Sequence, residues 1–358
     1  MTKKVCMVVP ASNVMGGIAA VVNGYRNSKL EQDYQIIYVE SYRNGGKFVK
    51  LLKALKSYLK FLIIMIFHKP DVAHIHSSFG PSFYRKMPFV LISRLFRVPI
   101  INHIHGADFD NFYINARPKR KKQIRKIYNY CAKLIALSDE WRQRLAQLVS
   151  IDKIVVLENY SVLQEEEALH TCQNRILFMG AIEERKGCFD IPFIYQKVLN
   201  KVPNCSFVMA GDGDPGVVQK VKEAFGNNAN KNVFFTGWIR GKEKKCCLLE
   251  SDLFLLPSYN EGMPMAILEA MGYGLPIIST NVGGIPKLVN NGENGFLLKP
   301  GDIEGFAEKI IFYLNNQEAR IAAGISSKNV IKANYTLEIH LQKLERIYEE
   351  VMANAGNV

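Results

Sequence analysis

No stretch of this chain is hydrophobic enough for long enough to cross a bilayer. The longest uncharged apolar run, Phe61 to Phe67, is seven residues, against the roughly 20 that a transmembrane helix needs. A secretion signal is not expected either, because Val5-Cys6-Met7-Val8-Val9-Pro10 is a short apolar segment that runs into a turn. The seven cysteines show no CxxC or CxxxH spacing, and Cys246 and Cys247 are adjacent. That pattern suits neither a zinc site nor a simple disulfide, so reduced thiols in the cytoplasm are expected. The glycine turn after the first strand is not a GxGxxG fingerprint, which argues against a Rossmann oxidoreductase using a nicotinamide. Acid is scarce in the first half. Residues 1–160 hold 26 Lys/Arg against 10 Asp/Glu, whereas residues 161–358 hold 20 against 23. The basic charge concentrates in Lys47–Lys60 and Arg117–Lys126. No RNA- or DNA-binding motif accompanies it, so nucleic acid is not an expected partner.

What is present is a repeated alternation of short apolar runs and amphipathic helical patterns over 358 residues, enough for two domains. Strands are expected in the first half at Val5–Pro10, Gln35–Val39, Val72–His76, Ile100–His105, Leu134–Ala136 and Ile154–Leu157. In the second half they are expected at Arg175–Met179, Ser206–Ala210, Val233–Phe235, Leu253–Leu256, Pro276–Ser279 and Gly295–Leu298. Continuous Val/Ile/Leu runs separated by helices indicate parallel strands buried on both faces. The fold class is therefore α/β, with two Rossmann-like doubly wound domains. The expected boundaries are 1–163, a polar linker at 164–174, 175–336, and a C-terminal helix in 337–358 that packs back. A ligand is expected in a cleft at the carboxyl ends of the strands.

The most informative segment runs from Asn260 to Ala270. Glu261 and Glu269 stand eight residues apart, and Glu269 is the only charge between Glu261 and Leu275. Pro264 suits the first position of a helix, which leaves Glu261 in the loop before it. A buried carboxylate needs hydrogen-bond donors. They can be backbone N–H groups or a ligand diol such as a ribose, and helix N-termini attract phosphate. In its context, the segment suits a nucleotide sugar.

Other segments are consistent with that reading. Gly16-Gly17 follows the first strand and precedes a helix, where backbone N–H groups could receive phosphate oxygens or simply form a tight turn. Arg185-Lys186 lies in a strand–helix turn, where two cations could clamp a diphosphate or be solvated. Gly283-Gly284 is a third glycine turn. His105, with Gly106, Ala107 and Asp108, closes a first-half strand and could hydrogen-bond a sugar hydroxyl or stabilise developing charge. The HxH pairs His74/His76 and His103/His105 each share a strand face, but no matched further ligands stand near them in sequence. Asp108-Phe109-Asp110 and Asp212-Gly213-Asp214 have the DxD form of metal-dependent transferases, although the second reads more simply as a turn. Lys53, Lys56 and Lys60 share one helical face, with Leu51, Leu52, Leu55, Leu59 and Leu62 on the other side. Such a helix either covers the sheet or lies on anionic lipid.

Taken together, these segments resemble glycosyltransferase family 4, over nearly the whole chain. The resemblance rests on Gly16-Gly17, His105-Gly106-Ala107-Asp108, Arg185-Lys186-Gly187, Pro257-Ser258, the Glu261–Glu269 element with Gly262 and Pro264, and Gly283-Gly284-Ile285-Pro286. It implies a retaining, metal-independent enzyme of the GT-B fold with no cofactor, moving a hexose or N-acetylhexosamine from a nucleotide sugar, most commonly UDP-linked. The residues it implies are His105 and Glu261 at the sugar, Arg185 and Lys186 at the leaving diphosphate, and Glu269 at the ribose. Gly16, Gly17, Gly262, Met263, Pro264 and Met265 would complete the donor site. Two departures bear on the donor: Ala181 and Lys287 stand where many members have Arg and Glu. The basic first half then suggests a lipid-linked or glycan acceptor in surface polysaccharide assembly, at the inner face of the cytoplasmic membrane. A metal-dependent transferase and a catalytically silent membrane adaptor with the same fold are the rival expectations.

Overall fold

The computed structural model describes residues 2–106, 108–166, 168 and 174–355. Ala107 and much of the expected linker at 164–174 lie outside the described residues. The chain forms two compact units: Met1–Asn159 together with Leu337–Val358, and Tyr160–Thr336.

The first unit is built on six parallel strands, β1 (Lys4–Pro10), β2 (Gln35–Tyr42), β3 (Val72–Ser77), β4 (Ile100–Ile104), β5 (Lys133–Ala136) and β6 (Ile154–Val156). Their order is β2-β1-β3-β4-β5-β6. The chain leaves β1 toward one edge to form β2, then crosses to its other side to form β3. That reversal leaves a crevice at the carboxyl ends of β1 and β3, the usual ligand position in open α/β sheets. Helices flank the sheet because β1, β3 and β4 are buried along nearly their whole length, with no polar face for water.

The second unit repeats the plan with β7 (Arg175–Met179), β8 (Ser206–Ala210), β9 (Val233–Phe235), β10 (Leu253–Leu256), β11 (Ile277–Thr280) and β12 (Gly295–Leu298). Here the order is β12-β11-β10-β7-β8-β9, so the reversal falls between β7 and β10.

The C-terminal helix, Leu337–Ala355, packs in the first unit. Its Tyr348 hydroxyl is 2.7 Å from His74 Nδ1, and His340 Nε2 is 2.6 Å from the Tyr25 hydroxyl. Apolar spacing explains the docking: Leu341, Leu344, Ile347, Tyr348 and Val351 form one buried stripe.

The helix Lys47–Phe67 packs against β2, but not through its leucines. The stripe facing the sheet is Ala54, Ser57, Phe61, Ile64 and Met65, at helical spacing. The leucines do not cover the sheet. Phe48, Leu51, Leu55, Leu59 and Phe67 are each more than half exposed. Among the described residues, no helix is long and apolar enough to cross a membrane.

Candidate active site

In the second unit, the strand order itself assembles the candidate residues. The loops after β7 and β10 are neighbours because those strands pair. The first loop carries Arg185 and Lys186 on a single 3-10 turn, and the second carries Ser258 and Glu261. The Tyr259 amide donates to the Arg185 carbonyl at 2.9 Å, which ties the two loops together.

Glu261 is the buried carboxylate, only 5% exposed. Lys186 Nζ donates to its Oε1 at 2.5 Å, and Ser258 Oγ donates to the same oxygen at 2.9 Å. Arg185 Nη1 stands 3.7 Å from Oε2, donates to the Asn260 carbonyl at 2.9 Å, and places its other amino group 2.6 Å from Glu183. One carboxylate is thus held between two cations and a hydroxyl, a charge-assisted arrangement that fixes its rotamer.

Gly283 and Gly284 do not form a free phosphate turn of the kind their sequence suggests. They pack against the Glu261 loop. A Cβ on Gly283 would stand 2.0 Å from the Glu261 carbonyl oxygen, at a φ of +59°, and the Gly284 amide donates to the Gly262 carbonyl at 2.6 Å. Only glycine fits so close a backbone approach.

The helix after this loop begins at Met265, with Pro264 as its N-cap rather than its first residue. Pro264 is extended, at ψ 119°, so it sits one position earlier than its sequence preference suggests. Glu269 lies on the helix as expected but is not the buried member of the pair. It is partly exposed and is held by Lys244 Nζ at 2.9 Å. Lys244 comes from the helix Gly241–Leu249, and no sequence pattern links it to Glu269. Gly262, Met263 and Pro264 are buried in the loop, and Met265 is half-buried.

The first unit holds the remaining candidates. Gly16 caps the helix Gly17–Tyr25 at φ +127° with open space where a Cβ would be. His105 follows β4, and its Nε2 lies 2.9 Å from His76 Nδ1 on β3. Register explains a further cluster: His76 pairs with His103 across the two strands. His74, His76, His103 and His105 therefore share one sheet face, with the ligating atoms of the first three within 4.8 Å of one another. The His74 ring stacks against those of His76 and His103. Burial, with His340 and Lys86 nearby, lowers His105 to about 3. His105 is thus a neutral hydrogen-bonding group at pH 7 and not a cation.

The two Asp-x-Asp tripeptides are used locally. Asp214 caps the helix Pro215–Phe225 through the Gly216 and Val217 amides, and Asp212 accepts from the Gly213 amide. Asp108 accepts from Asn111, and Asp110 pairs with Arg144.

Residues 19–160 match the profile described as Glycosyltransferase Family 4, and residues 161–330 match the one described as Glycosyl transferases group 1. The chain belongs to glycosyltransferase family 4. Among the enzyme's relatives is the Escherichia coli UDP-Gal:alpha-D-GlcNAc-diphosphoundecaprenol alpha-1,3-galactosyltransferase. It is 26% identical over 332 residues, which cover 86% of this chain and 82% of that one. The Bacillus anthracis N-acetyl-alpha-D-glucosaminyl L-malate synthase is 24% identical over 301 residues, covering 80% and 76%. Among solved structures, sucrose-phosphate synthase from Thermosynechococcus elongatus superposes with a TM-score of 0.80 at 15% identity, over 98% of this transferase and 100% of that chain. The fold class is GT-B.

Proposed function

We propose that this glycosyltransferase moves a hexose or N-acetylhexosamine from a UDP-sugar to a lipid-linked saccharide or glycan acceptor in surface polysaccharide assembly. Transfer retains configuration and needs no metal. The donor binds the second unit, and the acceptor binds the basic first unit. The observation that carries this reading is the Arg185–Lys186–Glu261 grouping at the strand-order reversal of the second sheet. Two cations on one turn supply the charge that a metal supplies elsewhere to a departing diphosphate. On donor binding, the diphosphate competes with Glu261 for Lys186, and the released carboxylate accepts hydroxyls of the hexose. Glu269 takes the ribose, displacing Lys244. Main-chain groups at Gly262, Met263, Pro264 and Met265 line the donor, Gly16 and Gly17 let the backbone approach both the donor phosphate and the acceptor, and neutral His105 hydrogen-bonds the sugar. The relatives' names support the substrate class: the Escherichia coli enzyme is named for UDP-Gal and a diphosphoundecaprenol acceptor.

We also propose that the enzyme lies peripherally on anionic lipid, at the inner face of the cytoplasmic membrane. The exposed apolar face of Lys47–Phe67 would enter the interface, with lysines of Lys47–Lys60 on the same helix and the Arg117–Lys126 cluster of the same unit adding positive charge. The test of the catalytic reading is a panel of UDP-sugars in EDTA with a short-chain polyprenyl-diphosphate saccharide. UDP release with an α-linked product is expected. A β-linked product, or transfer only after a divalent ion is restored, would overturn it.

A further inference from the structure

The first unit contains a cavity of about 320 Å³ at the reversal between β1 and β3, and the residues around it carry positive charge only. Its wall includes Gly16, Gly17, Ser41, Ser78, Arg85 and Lys86, and none of its lining residues is acidic. Lys86 is 4% exposed. Its ammonium donates to Ser41 Oγ at 2.6 Å and to the Val8 carbonyl at 3.3 Å, both neutral acceptors. Among the described residues, no carboxylate pairs with it. A buried cation without a counter-ion is costly, and burial drives the Lys86 pKa well below its ordinary value. Beside it, Arg85 Nε is buried with no hydrogen-bond partner, and the guanidinium lies 4.5 Å from the Tyr42 ring. Two helices, Gly17–Tyr25 and Pro81–Leu95, place their first turns at this cavity, and neither has a side-chain cap on its amides. Helix N-termini and uncompensated cations favour the same kind of ligand.

We propose that this cavity takes a phosphate group of the acceptor, with Lys86 and Arg85 as its counter-charges and the first-turn amides of Gly17–Tyr25 as donors. The inference rests on the transferase reading and adds that the acceptor is an anion held by its phosphate. His76 also lines the cavity and touches His105, so the anion site adjoins the residue assigned to the sugar. Lys86 then serves as a specificity residue, kept buried for a charge that arrives with the substrate.

The test titrates inorganic pyrophosphate into the full chain, in EDTA, at saturating UDP. Saturation blocks the donor's own diphosphate site. Binding that persists under UDP, weakens with salt, and falls at least tenfold in Arg85→Gln is the expected result. Lys86→Met should lower it further, but Arg85 is only partly buried, so its variant carries the test if Lys86→Met fails to fold. Displacement of pyrophosphate by UDP would assign the cavity to the donor and overturn the proposal, as would unchanged affinity in Arg85→Gln. If the wild type binds no UDP, the transferase reading fails; pyrophosphate alone, against the same variants, then decides whether the cavity holds an anion.

Discussion

Replacing Lys186 by Met separates what the Lys186–Glu261 contact does for the fold from what it does for catalysis. The two side chains are 13% and 6% exposed and meet at 2.5 Å. At an effective dielectric of about 20, the attraction at that distance is about 7 kcal/mol, most of it offset by the cost of desolvating both groups. The substitution removes the attraction but leaves the Glu261 carboxylate buried. Such a break costs about 3–5 kcal/mol, and the low end applies because Ser258 and Arg185 remain beside the carboxylate. Adding Glu261→Gln removes the stranded charge, so the double variant should return to within about 1 kcal/mol of wild type. Turnover behaves differently. Lys186→Met should lose about 100-fold or more, the scale of losing a group that stabilises transition-state charge, and the double variant should stay inactive. Urea unfolding followed by hydrogen exchange in β7 and β10 reads the second sheet separately from the first. If Lys186→Met is as stable as wild type, the buried pair is not a pair in solution; if its turnover is near normal, the cation does not serve the leaving diphosphate.

Acid should weaken the first unit. Burial lowers His74 to about 3 and His340 to about 4, so the native state binds fewer protons than the unfolded chain below pH 6.5. Their contribution is complete above pH 6.5 and is lost as pH falls toward those values; at pH 5 the loss is about 2 kcal/mol for each residue. A flat stability profile from pH 7 to 5, measured by hydrogen exchange in β3, would contradict this. Gly283→Ala must push a Cβ against the Glu261 carbonyl in left-handed backbone; it should cost about 2 kcal/mol or more and lower turnover, and wild-type melting of this variant would be evidence against the packed turn. Exchanging Leu51, Leu55 and Leu59 for Ser should leave melting unchanged, because all three are more than half exposed, while reducing sedimentation with anionic vesicles. Equal sedimentation of both proteins would remove the apolar face from the membrane proposal.

The parallel strands were the most legible part of the chain. Arg175–Met179, Ser206–Ala210, Val233–Phe235, Leu253–Leu256 and Gly295–Leu298 have the bounds their apolar runs suggest, because each run gives way to a glycine, a proline or a polar residue. β2 runs on to Tyr42, beyond the expected Val39, since it keeps pairing with β1 through Pro10 past an irregularity. Glu261 was legible as a loop carboxylate before a helix, but its burial and its contact with Lys186 depend on β7 and β10 being neighbours. The Lys244–Glu269 contact joins two helices and has no local signature. Leucine and lysine spacing defined the faces of Lys47–Phe67 without saying which one meets the sheet. The Ala54–Ser57–Phe61–Ile64–Met65 stripe packs there, and complementarity of that kind is a property of the partner surface. Burial of Lys86 was equally invisible, because Arg85-Lys86 reads as an ordinary basic pair on a helix.

The most direct test of the account is a calorimetric titration of UDP, GDP and ADP in EDTA, against the wild type and Glu269→Ala. The account predicts that UDP binds the wild type without metal and loses affinity at least tenfold in the variant, where the ribose loses its carboxylate. No binding of any nucleotide in EDTA, or equal UDP affinity in both proteins, would contradict it.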